Sequence, residues 1–296
     1  MSRADWFSAI IVIVVWGLNF VAMKWGLDSL PPLMLCALRF MAASLPFLLF
    51  VRKPKNLSWG LLASYGLVQG VGQFGLLFTG MKLGMPAGMA SVVLQTQAFI
   101  TMLLAALMLG EKPQCWQWIG LTVAIAGLVL IGAAHGEGAT AMTLTGFVLT
   151  VGAAAMWAGS NLLTRLAAKQ GSYEPVSFIV WTSLFPIIPL LLLSFWLEGG
   201  EAVLAQVQNI GLRELAVIAY LALLSTLLGY GLWTRLLQRY AASTVAPLSL
   251  LVPVIGLLSA MLLLGEYPTG LQWLGTAGVL LGMVVNQFGG RWLGKR

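Results

Sequence analysis

GEKPQCWQWIG spans Gly110–Gly120, and GEYPTGLQWLG spans Gly265–Gly275. Six positions agree at a constant offset of 155: Gly110/Gly265, Glu111/Glu266, Pro113/Pro268, Gln117/Gln272, Trp118/Trp273 and Gly120/Gly275. A Gly-Glu-Pro turn can recur by chance between apolar helices, but further anchors upstream make chance the weaker account. Trp16 and Lys24 match Trp157 and Arg165 at an offset of 141, and Pro32 and Pro46 match Pro175 and Pro189 at 143. The offset grows where the second half has a longer loop, around Glu198 to Gly211. The chain therefore reads as two copies of one unit, residues 1–136 and 137–296.

Each copy holds five apolar runs, expected near 6–27, 33–51, 59–80, 86–110, 116–134, 143–168, 176–197, 213–238, 243–264 and 270–290. The runs are continuous and about 20 residues long, which suits membrane-spanning helices rather than the alternating segments of a barrel. The whole chain of 296 residues is 59% hydrophobic and only 8% charged, against about 25% charged in a soluble domain. The expected fold class is an all-α integral membrane protein with ten transmembrane helices. Five is odd, so the second copy enters the membrane upside down. Two inverted-topology five-helix repeats follow, with Glu111 and Glu266 on opposite faces, an architecture that suits rocking about a central site.

Charge orients this pattern. Arg3, Arg52, Lys53, Lys55, Lys112, Arg165, Lys169, Arg235, Arg239, Arg291, Lys295 and Arg296 fall on one side, and only Lys82 and Arg213 lie in loops on the other. The positive-inside rule makes the richer side cytoplasmic, with both termini there. The net charge of +7 forms no stripe, which argues against a nucleic-acid partner. Arg3 before an apolar run resembles a signal peptide, but the run has no small-residue cleavage site and reads as a retained first span. Cys36 and Cys115 fall at opposite sides and are not expected to pair.

No catalytic constellation, metal-ligand spacing or cofactor motif is present. The single histidine, His135, falls in a loop, and all nine acidic residues map to loops or span ends. A carboxylate proton relay inside the membrane is therefore not expected, and transport should be coupled weakly or not at all to protons. What remains inside the spans is uncharged and polar or aromatic. Asn19, Gln69, Gln73, Gln95, Gln97, Ser160, Asn161, Tyr220 and Tyr230 must face other helices or a wet cavity, because an unpaired amide in hydrocarbon costs several kcal/mol. Plain interhelical hydrogen bonding is the bland account of any one of them. Their grouping points further. Asn19 lies three residues from Trp16, Asn161 four from Trp157, and Gln69 four from Gln73, so each pair shares a helix face. Gln95 and Gln97 sit mid-span. Such a lining suits a small zwitterion, since amides bond its polar ends and an aromatic face attracts its ammonium. For Arg39 two readings stand: it snorkels to the headgroups, or it faces inward and binds a substrate carboxylate or caps a backbone carbonyl. Lys24 favours snorkelling. The small faces of spans five (Gly120, Ala124, Gly127, Ile131) and ten (Gly275, Gly278, Gly282) suit close packing or homodimer contacts outside the cavity. The prolines at 46, 186, 189, 247 and 253 are kink or hinge positions.

WGLNFVAMKWGL at 16–27, PPLML at 31–35, LRFM at 38–41, MPAGMASVVLQTQAF at 85–99 and APLSLLVPVIGLLSA at 246–260 resemble the EamA branch of the drug/metabolite transporter superfamily. The resemblance covers nearly the whole chain. It implies a bacterial inner-membrane exporter of small neutral metabolites, cysteine and O-acetylserine first among them, working by alternating access, with other amino acids or drug-like compounds as alternatives. Trp16, Asn19, Gln95, Gln97, Trp157 and Asn161 would then line the cavity, with Tyr230 and Trp233 beside them. The expected partners are a small-molecule substrate and membrane lipid.

Overall fold

The computed structural model describes residues 1–134, 141–240 and 242–293, and among these it contains helices and connecting turns but no strand. The boundary between residues 136 and 137, His135, Glu137, Lys295 and Arg296 lie outside the described residues, as do the side chains of Arg291 and Trp292. In chain order the longer helices, among the described residues, are α1 (Arg3–Ser29), α2 (Pro32–Ser44), α3 (Trp59–Lys82), α4 (Ala87–Leu109), α5 (Cys115–Ala133), α6 (Leu144–Gln170), α7 (Pro175–Gln208), α8 (Leu212–Arg239), α9 (Pro247–Leu264) and α10 (Gly270–Leu293), with a single turn of helix at Ala242–Val245 before α9. Among the described residues α1 and α3 to α9 are long and apolar enough to cross a membrane. The shorter α2 is apolar as well, and α10 has 24 residues and packs along α5.

Most shared residues of the repeated turn have a physical task. Gly110 and Gly265 end α4 and α9 at φ 69° and 67°, a left-handed conformation that costs glycine nothing. Pro113 and Pro268 follow, where no helix can continue. Gln117 then accepts the Gln114 N–H at 2.8 Å, and Gln272 accepts the Thr269 N–H at 2.9 Å, so each caps the helix that carries it. Gly120 and Gly275 let α5 and α10 touch backbone to backbone. A Cβ on Gly275 would lie 2.6 Å from the Gly127 carbonyl oxygen, and one on Gly120 would lie 2.5 Å from that of Gly282. The small faces expected to serve packing or a dimer are thus spent within one chain.

The geometry of α4 fixes the relative orientation of the two copies. Glu266 accepts the N–H groups of Ala87 and Gly88 at 3.1 and 2.9 Å, at the start of α4. Glu111 lies two residues past its other end. The two turns therefore sit on opposite faces, as an inverted repeat requires. Ion pairs sort the remaining loops. On the face of Glu111, that residue pairs with Arg165 at 3.0 Å, and Arg239 pairs with Asp5 near the N-terminus at 3.2 Å. On the face of Glu266, Arg213 pairs with Asp28 at 3.3 Å and Lys82 Nζ donates to the Leu27 carbonyl at 2.6 Å. The lysine- and arginine-rich ends thus share one face, here the basic face.

Four features differ from the sequence expectation. The segment from Glu198 to Gly211 is not a long loop. After a wide turn at Phe195–Gly199 it continues as helix to Gln208, because it forms a short amphipathic turn of helix whose Val203 is fully buried. Span two ends earlier than residue 51, at Ser44, with Pro46 two residues on and unable to donate the next bond. Glu198 and Glu266 are not merely loop charges. Each caps a first-half helix, Glu198 accepting the Leu33 and Met34 N–H groups at 2.7 and 3.4 Å, where an anion complements the helix dipole. Finally, α3 and α8, mates in the repeat, both widen to π-helix, at Leu67–Gly75 and Tyr220–Gly229. Such bulges shift the register of the side chains they carry.

Candidate functional site

The π-turns of α3 and α8 face the middle of α2, and there the chain buries its most costly side chain. Arg39 is fully buried. It neither snorkels nor finds a carboxylate: none of the ion pairs among the described residues includes it. Its Nε donates to Thr226 Oγ1 at 2.9 Å and its Nη2 to Ser225 Oγ at 3.4 Å. The guanidinium carbon lies 4.0 Å from the centroid of the Phe74 ring, a cation–π contact that offsets part of the desolvation. Both hydroxyls come from the π-segment of α8, and Phe74 from that of α3. Nη1 is buried with no partner.

Arg39 lines a small chamber of about 40 Å³ together with Trp16, Asn19, Gln73, Gln95, Trp157, Ser225 and Tyr230. Both copies contribute to this wall. Asn19 spends its amide N–H on Met23 Sδ at 3.6 Å, which leaves Oδ1 buried and unpartnered, as is Gln73 Oε1. Gln95 donates to the Ser249 carbonyl at 3.0 Å. Trp16 donates to the Ser225 carbonyl at 3.1 Å and stands against Tyr230 and Trp233, with ring centroids 5.0 and 5.5 Å away.

A larger vestibule of about 270 Å³ shares Trp16, Gln95, Trp157 and Tyr230 with the chamber and adds Gln97, Asn161 and Trp233. Asn161 donates to Gln97 Oε1 at 2.7 Å and to Thr101 at 3.2 Å. Beyond it, a space of about 450 Å³ reaches Arg165, which belongs to the basic face. The route from the chamber thus leads toward that face. At the opposite face Glu266 caps the start of α4 and Glu198 that of α2. Glu266 is only 4% exposed, and burial pushes its carboxyl up, against the pull of the Gly88 and Ala87 N–H groups and the charge of Lys24.

The structure brings Trp16, Asn19, Arg39, Gln73, Gln95, Gln97, Trp157, Asn161, Tyr230 and Trp233 to one continuous wall. It does not bring Gln69 there. Gln69 stands behind Tyr230, donating to its hydroxyl at 3.1 Å while accepting from Ser160, so it orients an aromatic lining residue. Tyr220 is also structural, donating to the Val15 carbonyl at 2.8 Å. Three groups of contributors escaped the sequence reading. Ser225 and Thr226 looked like ordinary small residues, and nothing in the pattern signalled the π-segment that aims them at Arg39. Ser249 contributes the backbone carbonyl that Gln95 bonds, which no side-chain pattern signals. Met283, Asn286 and Gln287 of α10 line the outer vestibule, although α10 was expected away from the cavity. Asn286 and Gln287 are adjacent amides within an apolar run, and that was the available signal.

Comparison with known proteins gives a consistent result. The model of the EamA-like transporter family matches residues 6–133 and again 144–287. A protein of Salmonella typhimurium named "probable amino-acid metabolite efflux pump" is 46% identical over 292 residues, 98% of this chain and 97% of its own length. A protein of the same name from Escherichia coli K12 is 44% identical over 99% of this chain and 97% of its own length. A "probable terminal-alkyne amino-acid exporter" of Streptantibioticus cattleyicolor is 28% identical over 100% of this chain and 96% of its own. A solved crystal structure of a protein 19% identical to this one covers 99% of both chains with a TM-score of 0.61, a likeness of fold.

Proposed function

Since the chain belongs to the EamA-like transporter family, we propose that it exports small neutral amino-acid metabolites, cysteine and O-acetylserine foremost, by alternating access through the central chamber. One observation carries the reading. A wall built from both copies encloses unpaired polar groups and leads by a vestibule to one face, while paired carboxylates close the other. A channel would need a path to both faces at once.

The basic face is the cytoplasmic one in this proposal, with both termini inside a bacterial cytoplasmic membrane; the distribution of lysine and arginine supports that orientation. The conformation described is then open to the cytoplasm and ready to load. Because the two copies share one turn, the outward-open state uses the same device reversed. Glu266 releases α4, and Glu111 leaves Arg165 to take the sealing position on its own face. The relatives' names support amino-acid metabolites as cargo. The lining carries one cationic group, Arg39, and no acid; this supports a substrate that bears a carboxylate, whereas a net cation would call for a buried acid facing the chamber.

Purified protein in liposomes preloaded with unlabelled O-acetylserine should accumulate labelled O-acetylserine by saturable counterflow, and cysteine should compete. Absence of counterflow with any amino acid ends the carrier reading. Non-saturating flux would make the protein a channel.

A further inference from the structure

Three buried polar atoms around the chamber lack partners: Arg39 Nη1, Asn19 Oδ1 and Gln73 Oε1. All three residues line that one chamber, and all three are at least nine-tenths buried, at 0%, 6% and 1% exposed. A buried charge held by hydroxyls and aromatic rings is expensive to keep, and an unused acceptor in the same place adds to the cost. Ionisable groups inside a membrane persist where they serve the transported species.

The chemistry of the vacant bonds is specific. Arg39 offers a charged donor, which an anionic oxygen satisfies best, and its planar fork matches a carboxylate. Asn19 and Gln73 offer two carbonyl oxygens, which only a donor satisfies. Trp16 and Tyr230 add ring faces on the same wall, to which an ammonium is attracted. A ligand with one carboxylate and one ammonium on the same carbon fills this set, whereas an inorganic anion leaves both carbonyls empty. Resting on the transport reading above, we infer that the chamber is a head-group site. Arg39 Nη1 holds the α-carboxylate of an amino acid, and Asn19 Oδ1 and Gln73 Oε1 take its α-ammonium.

The size of the two spaces gives this a consequence. The chamber of about 40 Å³ has room for the head group, and the amino-acid side chain extends past Trp16 and Trp157 into the vestibule of about 270 Å³. The site therefore reads what all amino acids share and reads the side chain loosely. Cargo that varies in its side chain but keeps both α-groups is accepted; cargo that lacks either one is not.

The test is equilibrium binding to the purified full-length protein, run beside transport. The ligands are O-acetylserine, serine, serine methyl ester, N-acetylserine and ethanolamine. The ester, the N-acetyl derivative and ethanolamine should each bind about tenfold to hundredfold more weakly than serine, the range for losing a charged hydrogen-bond partner. Arg39→Gln should erase the preference for serine over its ester. Asn19→Leu, which keeps the buried arginine and its fold contacts, should reduce the preference for serine over N-acetylserine. Ester or N-acetyl compound binding as tightly as serine overturns the inference, whatever transport shows. Selective binding of zwitterions without any counterflow would instead keep the head-group site and remove the carrier reading.

Discussion

Glu111 and Glu266 occupy the same place in two copies of one turn, yet their surroundings are opposite. Glu266 is buried and holds two backbone N–H groups at the head of α4. Glu111 sits on the surface in an ion pair with Arg165, with side-chain exposures of 55% and 46%. The rest of the turn does not differ in this way. Gly110 and Gly265 share one left-handed conformation, and Gly120 and Gly275 each press against a facing backbone. The repeat is thus symmetric where it holds α5 and α10 together and asymmetric where it meets α4 and α6. In the alternating-access proposal the two copies exchange these roles about a pseudo-two-fold axis, and this structure holds one of the two arrangements.

The largest effects should fall on the symmetric part. Gly275→Val puts a branched side chain where even a Cβ would lie 2.6 Å from a backbone oxygen, and Gly120→Val does the same at 2.5 Å. Each should cost about 3 kcal/mol, the upper range for overpacking, and the two should agree within 1 kcal/mol or so on the same scale. Thermal unfolding in detergent reads both. A large difference between them would break the claim that this end of the turn is symmetric. Gly270, whose Cβ would meet nothing within 4 Å, is the control.

Next come the glutamates, which should not agree. Glu266→Ala leaves two buried N–H groups unsatisfied, a loss of about 2 kcal/mol from the sealed state. A cysteine at Ala87, fully buried in this structure, should then react faster with a membrane-impermeant thiol reagent applied from the Glu266 face of oriented vesicles. Glu111→Ala removes an exposed pair and should cost at most about 0.5 kcal/mol, with no gain in labelling at that position. Equal responses would mean that the difference between the turns has no bearing on closure.

How much of this was written in the sequence follows the same division. The spans, the repeat, its inversion and the basic face were legible because each rests on a one-dimensional signal: hydropathy, a shared motif, parity or charge. The lining tryptophans and amides were legible because polar groups in apolar runs must find partners. Arg39 was legible as important, but not which way it pointed, because snorkelling and burial leave the same sequence trace. The π-segments of α3 and α8 were invisible: Gly70, Gly72 and Gly75 in Leu67–Gly75 weaken a helix without specifying a wider turn, and Tyr220–Gly229 reads as a plain apolar helix. Ser225 and Thr226 were lost with them. The different surroundings of Glu111 and Glu266 could not be read, because a Gly-Glu-Pro turn shared by both copies does not say which one is engaged.

The smallest expected effect concerns protons, and its sign can be worked out. Burial raises the Glu266 carboxyl above its ordinary value of 4.5. The sealed state therefore binds a proton more tightly than a state in which this carboxyl reaches water. Its contribution to sealing is fully present below the ordinary value and is lost as pH rises through the raised one. Lys24, whose charge favours the ionised form, limits the size of the effect. In oriented vesicles the labelling rate of Ala87→Cys should climb as the outer pH is raised from about 5 to 8, the range above an ordinary carboxylate value. Division by the rate of a cysteine at the exposed neighbouring Tyr267 removes the pH dependence of the thiol itself. Glu266→Gln, which cannot ionise, should flatten the corrected profile. A slope that survives this substitution would assign the response to another group and leave the contrast between the two turns one of packing alone.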